Sequence, residues 1–514
     1  MAFAIAGRIV PLTQQTDVAA SESAAFKGRV WIRDDGAIAG VTTSRKAPPA
    51  GMSGVPMVDV GESLVLPGFV DLHSHLAYAT LPLWTEPGRA LPYAHHDIWP
   101  GQSTYARDVT WPAYAFVTAC PEELLAYAEV RALIGGTTSI QGSPPSNRPL
   151  DGWLVRNVED ERLGGALPST RVLASTLTLK PDQLGRRANQ MRNGSTFIYH
   201  CAEGQLDSIV GREYQALRAA GCLQHQLVAI HTNALGAAAY DTWTEAGTVV
   251  WSPFSNLWLY ADTTNVPAAQ AKGLRVCIGS DWGPSGTRNV LGELKVAHLV
   301  AQARGWTLPA FDLVRMITCW PGDALSRAWG RQVGRLQPDA LADIVVIGAK
   351  RRVDPFARVL AAMERDVRLV VVNGRPVFGE SALMASAGAS GTTPLAMGGA
   401  DKQLALRRFI GEPLVWSFAD VLSRMEEVRR DPKGEIEHAR TQAMGAIIRG
   451  EPAPLRLALD MPTGKVPIGG LPKDLGKIVV PPVQPLEHDA AFFQSITGRG
   501  FHGGLLDGLA AFYS

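Results

Sequence analysis

Two histidines close a short apolar run, LPGFVDLHSHL at positions 66–76; they are His73 and His75, two of only eleven in the 514-residue chain. In an extended strand, residues i and i+2 project to the same face, so both imidazoles can reach one ion. Three further apolar runs end in residues of the same kind. TFIYHCAEG closes on His200 and Glu203, LVAIHTNAL on His231, and RVCIGSDWGPSG on Asp281. A single histidine in such a run is ordinarily a satisfied core residue. Four runs ending in His, Glu and Asp point to a shared purpose.

A divalent ion such as zinc takes imidazole nitrogen and carboxylate oxygen and keeps one position for water. His73, His75, His200 and Asp281 supply three nitrogens and one oxygen for it. Water bound to such an ion is acidic near neutral pH. Glu203, three residues past a ligand, is placed to take a proton from that water and deliver it to a leaving nitrogen. His231 is placed to orient the attacking water and to stabilise negative charge on the substrate. The expected catalytic group is therefore Glu203, His231 and Asp281, the last also a ligand.

The elements that must hold these residues follow from the pattern between them. Residues 66–330 alternate strand-like and helical stretches, with candidate strands at 64–73, 137–142, 153–159, 171–177, 196–203, 227–231, 248–256 and 275–281. Pro121 opens one of the helical stretches, where a proline fits the first turn. Eight strand–helix units predict a parallel sheet closed into a (β/α)₈ barrel, whose C-terminal mouth carries the active site. The flanks, 1–65 and 331–380, read as short strands with hairpin signals, DDG at 34–36 and the turn in VNGRPV, and predict one β-domain built from both. Residues 381–403, SALMASAGASGTTPLAMGGADKQ, read as a linker, and 404–514 as a C-terminal extension, helical and then irregular.

Composition narrows the class. Apolar residues make up 46% and charged residues 19%, enough for a sizeable core. The net charge of +1 predicts no nucleic-acid partner and no attraction to an acidic membrane surface. No apolar run reaches bilayer-spanning length, and MAFAIAGRIVPL reads as a strand rather than a signal peptide. Five cysteines without regular spacing read as free thiols in a cytoplasmic protein. The stretch after the first motif holds Trp84, Tyr93, His95, His96 and Trp99. Together with Asn256 they are the expected substrate contacts, aromatic faces for a planar ring and imidazoles to hydrogen-bond it.

With these motifs in order along the chain, the sequence resembles the amidohydrolase superfamily, most closely its chlorohydrolase/cytosine-deaminase-like branch of heterocycle aminohydrolases. LVLPGFVDLHSHL resembles the opening metal motif of that family, GGTTSIQG its second-strand signature, and HCAEG its third histidine with the catalytic glutamate. IHTNAL, SPFSN, GSDWGPSG and ADIVVIG resemble its later motifs. The resemblance covers roughly residues 1–380. It implies a distorted barrel, a composite β-sandwich and one divalent metal ion, zinc in the first place, with iron or manganese as alternatives.

The activity it implies is hydrolytic deamination of a planar nitrogen heterocycle; hydrolysis of an amide, a cyclic amide or lactam, or a C–Cl bond is the alternative. A non-catalytic binding relative would be expected to lack a ligand, and none is missing. A homodimer is common among such relatives. Binuclear members carry a bridging lysine near the position of Lys180, in TLTLKPDQ. The glutamate of HCAEG is typical of mononuclear ones, so Lys180 is expected at the surface.

Overall fold

The computed structural model describes residues 1–13, 25–148, 150, 154–159, 172–176, 178–408, 414–463, 474–487 and 489–514. Strands β1 (Phe3–Ile9), β2 (Phe26–Ile32), β3 (Ile38–Thr43) and β4 (Met57–Pro67) come from the N-terminal flank. Eight strands then follow: β5 (Phe69–Asp71), β6 (Thr137–Ile140), β7 (Arg156–Asn157), β8 (Val172–Ser175), β9 (Thr196–Cys201), β10 (Leu227–His231), β11 (Thr248–Trp251) and β12 (Arg275–Ile278). Each lies within one of the eight expected segments. β5–β6–β7 form one parallel sheet and β8 to β12 another. The ends of β5 and β12 meet where Asp281 N–H donates to His73 C=O at 2.8 Å and Ser74 bridges Asp281.

The strands are short runs of Val, Ile and aromatic residues, apolar on both faces as parallel strands buried from two sides must be. Alternate residues divide between two cores. Val70, Val172, Ile198, Val228, Val250 and Cys277 share one cluster, so six of the eight strands point a side chain at a common interior. Their neighbours, such as Phe197, Ala229 and Val249, face the surrounding helices. Each fully buried aliphatic side chain here contributes about 1.5–3 kcal/mol.

The expected first strand, 64–73, is divided. β4 ends at Pro67 in the flanking sheet, and β5 starts at Phe69 beside β6. His73 and His75 therefore stand just past a strand end rather than on it. The expected strand 248–256 is likewise shorter: Pro253 opens a helix, Pro253–Tyr260, that carries Asn256. Residues 153, 171 and 177 of the expected strands lie outside the described residues.

The flanks share one sheet of nine strands. It adds β13 (Ile344–Ile347), β14 (Val367–Val372), β15 (Arg375–Glu380), β16 (Thr393–Met397) and β17 (Ala400–Leu404), in the order β16-β17-β15-β14-β13-β4-β1-β2-β3. Both expected hairpins form, β2–β3 and β14–β15. The expected linker 381–403 does not exist as such: it forms a short helix, Ser381–Ser386, and nearly all of a hairpin that extends the sheet. Its turn is Gly398–Gly399, both at positive φ, the conformation a two-residue hairpin requires. Small residues suggested flexibility, but they alternate in burial along both strands.

In the C-terminal part, the helix Phe418–Arg430 packs on Pro121–Ile134, with Phe418 stacked on Tyr127, and Pro432–Ile448 packs on Trp111–Ala119. The described residues beyond Ile448 are largely irregular yet keep contact with the strand–helix region, as Tyr93 against Phe501 and Trp258 against His502 show. Among the described residues, no helix is long and apolar enough to cross a membrane.

Candidate metal centre

The strand ends bring four imidazoles and a carboxylate together. Ring centroids of His73 and His200 are 4.6 Å apart, His73 and His75 5.0 Å, and His73 and His231 5.1 Å. Asp281 Oδ1 lies 2.9 Å from His73 Nε2 and 3.7 Å from His75 Nε2. Its Oδ2 lies 3.8 Å from His231 Nε2, which is also 3.8 Å from Glu203 Oε2. Potential ligand atoms of His73, His75 and Asp281 fall within 4.8 Å of one another, as do those of His73, His200 and His231.

Local backbone geometry re-aims these groups. Strict alternation places His231 with Leu227 and Ala229 on the outer face of β10, yet its ring joins the cluster. Its φ is 67°, a left-handed conformation rare for a side-chain-bearing residue, and Ala202 and Asp281 share it. Gly279 leaves room for the site: a Cβ there would lie 2.7 Å from His73 Cβ. Gly204 does the same for the loop above, where a Cβ would meet Ala94 C=O at 2.6 Å.

Burial and charge prepare the donors for a cation. Burial depresses the His200 imidazole well below its ordinary range and that of His231 to about 3, so both are neutral. Burial opposes charge on Asp281, but His73 and His231 beside it hold its pKa well below the usual carboxylate range. His75 Nε2, His200 Nδ1 and His231 Nε2 are buried with no hydrogen-bond partner. Imidazole nitrogens without a protein partner around an ionised carboxylate fit a divalent cation.

His231 has a distinct role. Asn256 Nδ2 donates to His231 Nδ1 at 3.1 Å, and Thr264 Oγ1, which donates to His231 C=O at 2.5 Å, lies 3.3 Å from the amide oxygen. The Asn256 bond leaves the His231 proton on Nε2, pointing toward Glu203 and Asp281. A protonated Nε2 is a donor rather than a ligand. Asn256 is thus placed behind His231.

Glu203 is buried beside the cluster. Burial pushes its carboxyl up to about 7, more than His96 and the Tyr260 hydroxyl pull it down. Tyr260, at the end of the helix bearing Asn256, donates to Glu203 Oε1 at 2.5 Å and accepts from Trp99 Nε1 at 2.9 Å. Sequence reasoning missed Tyr260, although its i+4 spacing from Asn256 places both on one helix face.

The expected substrate contacts divide. Trp84, Tyr93 and Trp99 are at most 5% exposed. Trp84 stacks on Tyr93 and Trp99 on Trp282, so these rings pack on one another instead of offering a free face. Such large apolar surfaces gain more from mutual burial than from lining an open mouth. His96 turns to Glu213, 2.7 Å from Nε2 to Oε1, while its N–H holds Glu203 C=O at 3.1 Å. His95 pairs with Gly204 and remains half-buried next to the site. Lys180 is exposed at the start of a helix, as expected of a surface residue. All five cysteines are buried and free.

One member of the cluster lies far away in sequence. Asp460, from the irregular C-terminal stretch, places Oδ2 2.7 Å from His75 Nδ1 across 385 positions. A lone aspartate in a segment without periodicity carries no signal that could have marked it.

Over 365 residues the chain is 24% identical to a 5-methylthioadenosine/S-adenosylhomocysteine deaminase of Syntrophomonas wolfei, covering 63% of this chain and 83% of that one. The structure is similar to E. coli guanine deaminase, with a TM-score of 0.54 and 19% identity over 74% of this chain and 100% of that one. An adenosine deaminase from Xanthomonas campestris with bound zinc gives a TM-score of 0.57 and 17% identity, covering 85% and 98%. These likenesses show a TIM-barrel-like α/β fold. Residues 210–377 match the model of the Amidohydrolase family, and the chain is similar in fold to these two deaminases of known structure.

Proposed function

We propose that the protein is a metal-dependent hydrolase that deaminates a small nitrogen heterocycle, with purine nucleosides and related aminated rings as the first candidates. The observation that carries this reading is the meeting of His73, His75, His200 and Asp281 with Glu203, which stands 3.8 Å from His231 Nε2. The deaminase names of the similar proteins support it. His73, His75, His200 and Asp281 would hold one divalent cation; zinc suits three imidazoles and a carboxylate. That cation, when bound, supplies Lewis-acid activation of water.

The remaining chemistry belongs to the chain. Glu203, with a pKa near neutrality, accepts a proton from the attacking water and returns it to the departing ammonia. Tyr260 fixes one oxygen of that carboxylate, so the other faces the reaction. His231, held as the Nε2–H tautomer by Asn256, donates to the attacking oxygen or to charge developing on the ring. Asp281 keeps negative charge beside the imidazoles. His95, half-buried beside Gly204, is the remaining loop residue placed to touch a substrate.

We also read residues 66–330 as a closed, distorted barrel and the nine-stranded sheet as part of a composite flanking domain. Five buried free thiols suit a reducing, cytoplasmic compartment. The test is ammonia release from metal-analysed protein against aminated purines, purine nucleosides, pterins and triazines, with and without a chelator. Chelator-sensitive release is expected. Its absence from metal-loaded protein across the panel would redirect the assignment to amide or lactam hydrolysis.

A further inference from the structure

Asp460 reaches the metal centre along a defined path. Asn147, in the loop after β6, exchanges hydrogen bonds with the backbone of Arg456: its N–H donates to Arg456 C=O at 3.2 Å, and its Oδ1 accepts from Arg456 N–H at 2.9 Å. Ala458 N–H donates to Pro145 C=O at 2.8 Å, and Ser146 bridges Leu457 in antiparallel sense. Past Asp460, Tyr105 OH holds Pro462 C=O at 3.0 Å. Between these two clasps the Asp460 side chain, 8% exposed, turns inward to His75.

The orientation of His75 gives this contact its meaning. Nδ1 faces Asp460 Oδ2 at 2.7 Å, whereas Nε2 faces Asp281 and the other imidazoles. A carboxylate on Nδ1 keeps the proton there, leaves the Nε2 lone pair free, and fixes the plane of the ring. The second oxygen, Oδ1, is buried and has no partner among the described residues. A tail that needed only an anchor could use apolar contacts such as those of Leu455 and Met461; a buried carboxylate costs desolvation unless its charge is used.

We propose that Asp460 is a positioning residue: the C-terminal extension completes the metal centre by presenting this carboxylate to His75 and setting its ligand tautomer. The inference rests on the metal-site reading above. It assigns a role to a segment that follows the whole of the family match, residues 210–377.

The experiment compares full-length wild type, D460N, D460A, D460E and H200A. Each is stripped of metal and titrated with Co²⁺ and Zn²⁺ in chelator-buffered solution, with thermal melting of the metal-free forms alongside. D460N and D460A should bind metal about 10–100-fold more weakly. D460N, close in shape to wild type, should melt like it when metal-free and show an altered cobalt visible spectrum. D460E should recover part of the affinity. Wild-type affinity with an unchanged cobalt spectrum in D460N overturns the inference, and if H200A has then lost its metal, the metal-site reading survives. A wild-type protein that takes up neither ion overturns both.

Discussion

Tyr260 donates its hydroxyl hydrogen to Glu203 Oε1 at 2.5 Å while accepting the indole N–H of Trp99 at 2.9 Å. This chain of bonds joins the buried aromatic cluster to the Glu203 carboxylate, the proposed proton carrier. The aromatic loop thus holds the Glu203 carboxylate through Trp99 and Tyr260.

Removing that hydroxyl should therefore slow turnover without emptying the site. A hydrogen bond to a charged group contributes about 1.5–3 kcal/mol, so Tyr260→Phe should lower kcat/KM roughly ten- to hundredfold. Metal content measured on the same preparation should equal that of wild type. An unchanged rate would remove Tyr260 from the mechanism.

Glu203→Gln keeps the shape of the side chain and loses its proton affinity. General acid–base catalysis contributes about 10²–10⁴ in rate, so most turnover should vanish while the metal stays bound. Near-wild-type kcat would mean that another group shuttles the proton.

Metal analysis should separate His200 from Lys180. His200→Ala removes an imidazole from the centre, and the purified protein should retain far less metal. Lys180 is exposed, and Lys180→Ala should leave the stoichiometry at that of wild type. A drop from two ions to one in the lysine variant would instead reveal a binuclear centre.

The His96–Glu213 pair predicts a pH dependence of stability. Burial alone would lower the His96 pKa, but the Glu213 hydrogen bond and the nearby Glu203 outweigh it and raise the value to about 9. The folded protein thus keeps a proton that the unfolded chain loses near its ordinary value, about 6.5. Stability from this pair is complete below that value and falls as pH rises through about 9. Melting temperatures of wild type and His96→Gln should differ more at pH 6.5 than at pH 9.5. A gap that stays constant or widens with pH would show that His96 is not held charged.

Histidine and aspartate at strand ends were legible because parallel strands are short, apolar on both faces and closed by polar residues, so their order and spacing survive in the sequence. The same regularity made the eight strand segments and both flanking hairpins readable. Other features depended on context. The run 381–403 has a linker's composition, and only pairing with β15 commits it to a hairpin. Whether Trp84 and Trp99 faced a substrate or packed on other rings, Tyr93 and Trp282, was a matter of packing, which residue type does not specify. His231 reaches the cluster through a left-handed backbone conformation that alternation alone would not anticipate. Asp460 is the limiting case, since a contact across 385 positions leaves no local pattern. Residue chemistry and strand periodicity are local, and the sequence by itself determined which residues stand at the strand ends; the tertiary structure decided which distant groups orient them, because only the folded chain brings them within hydrogen-bonding distance.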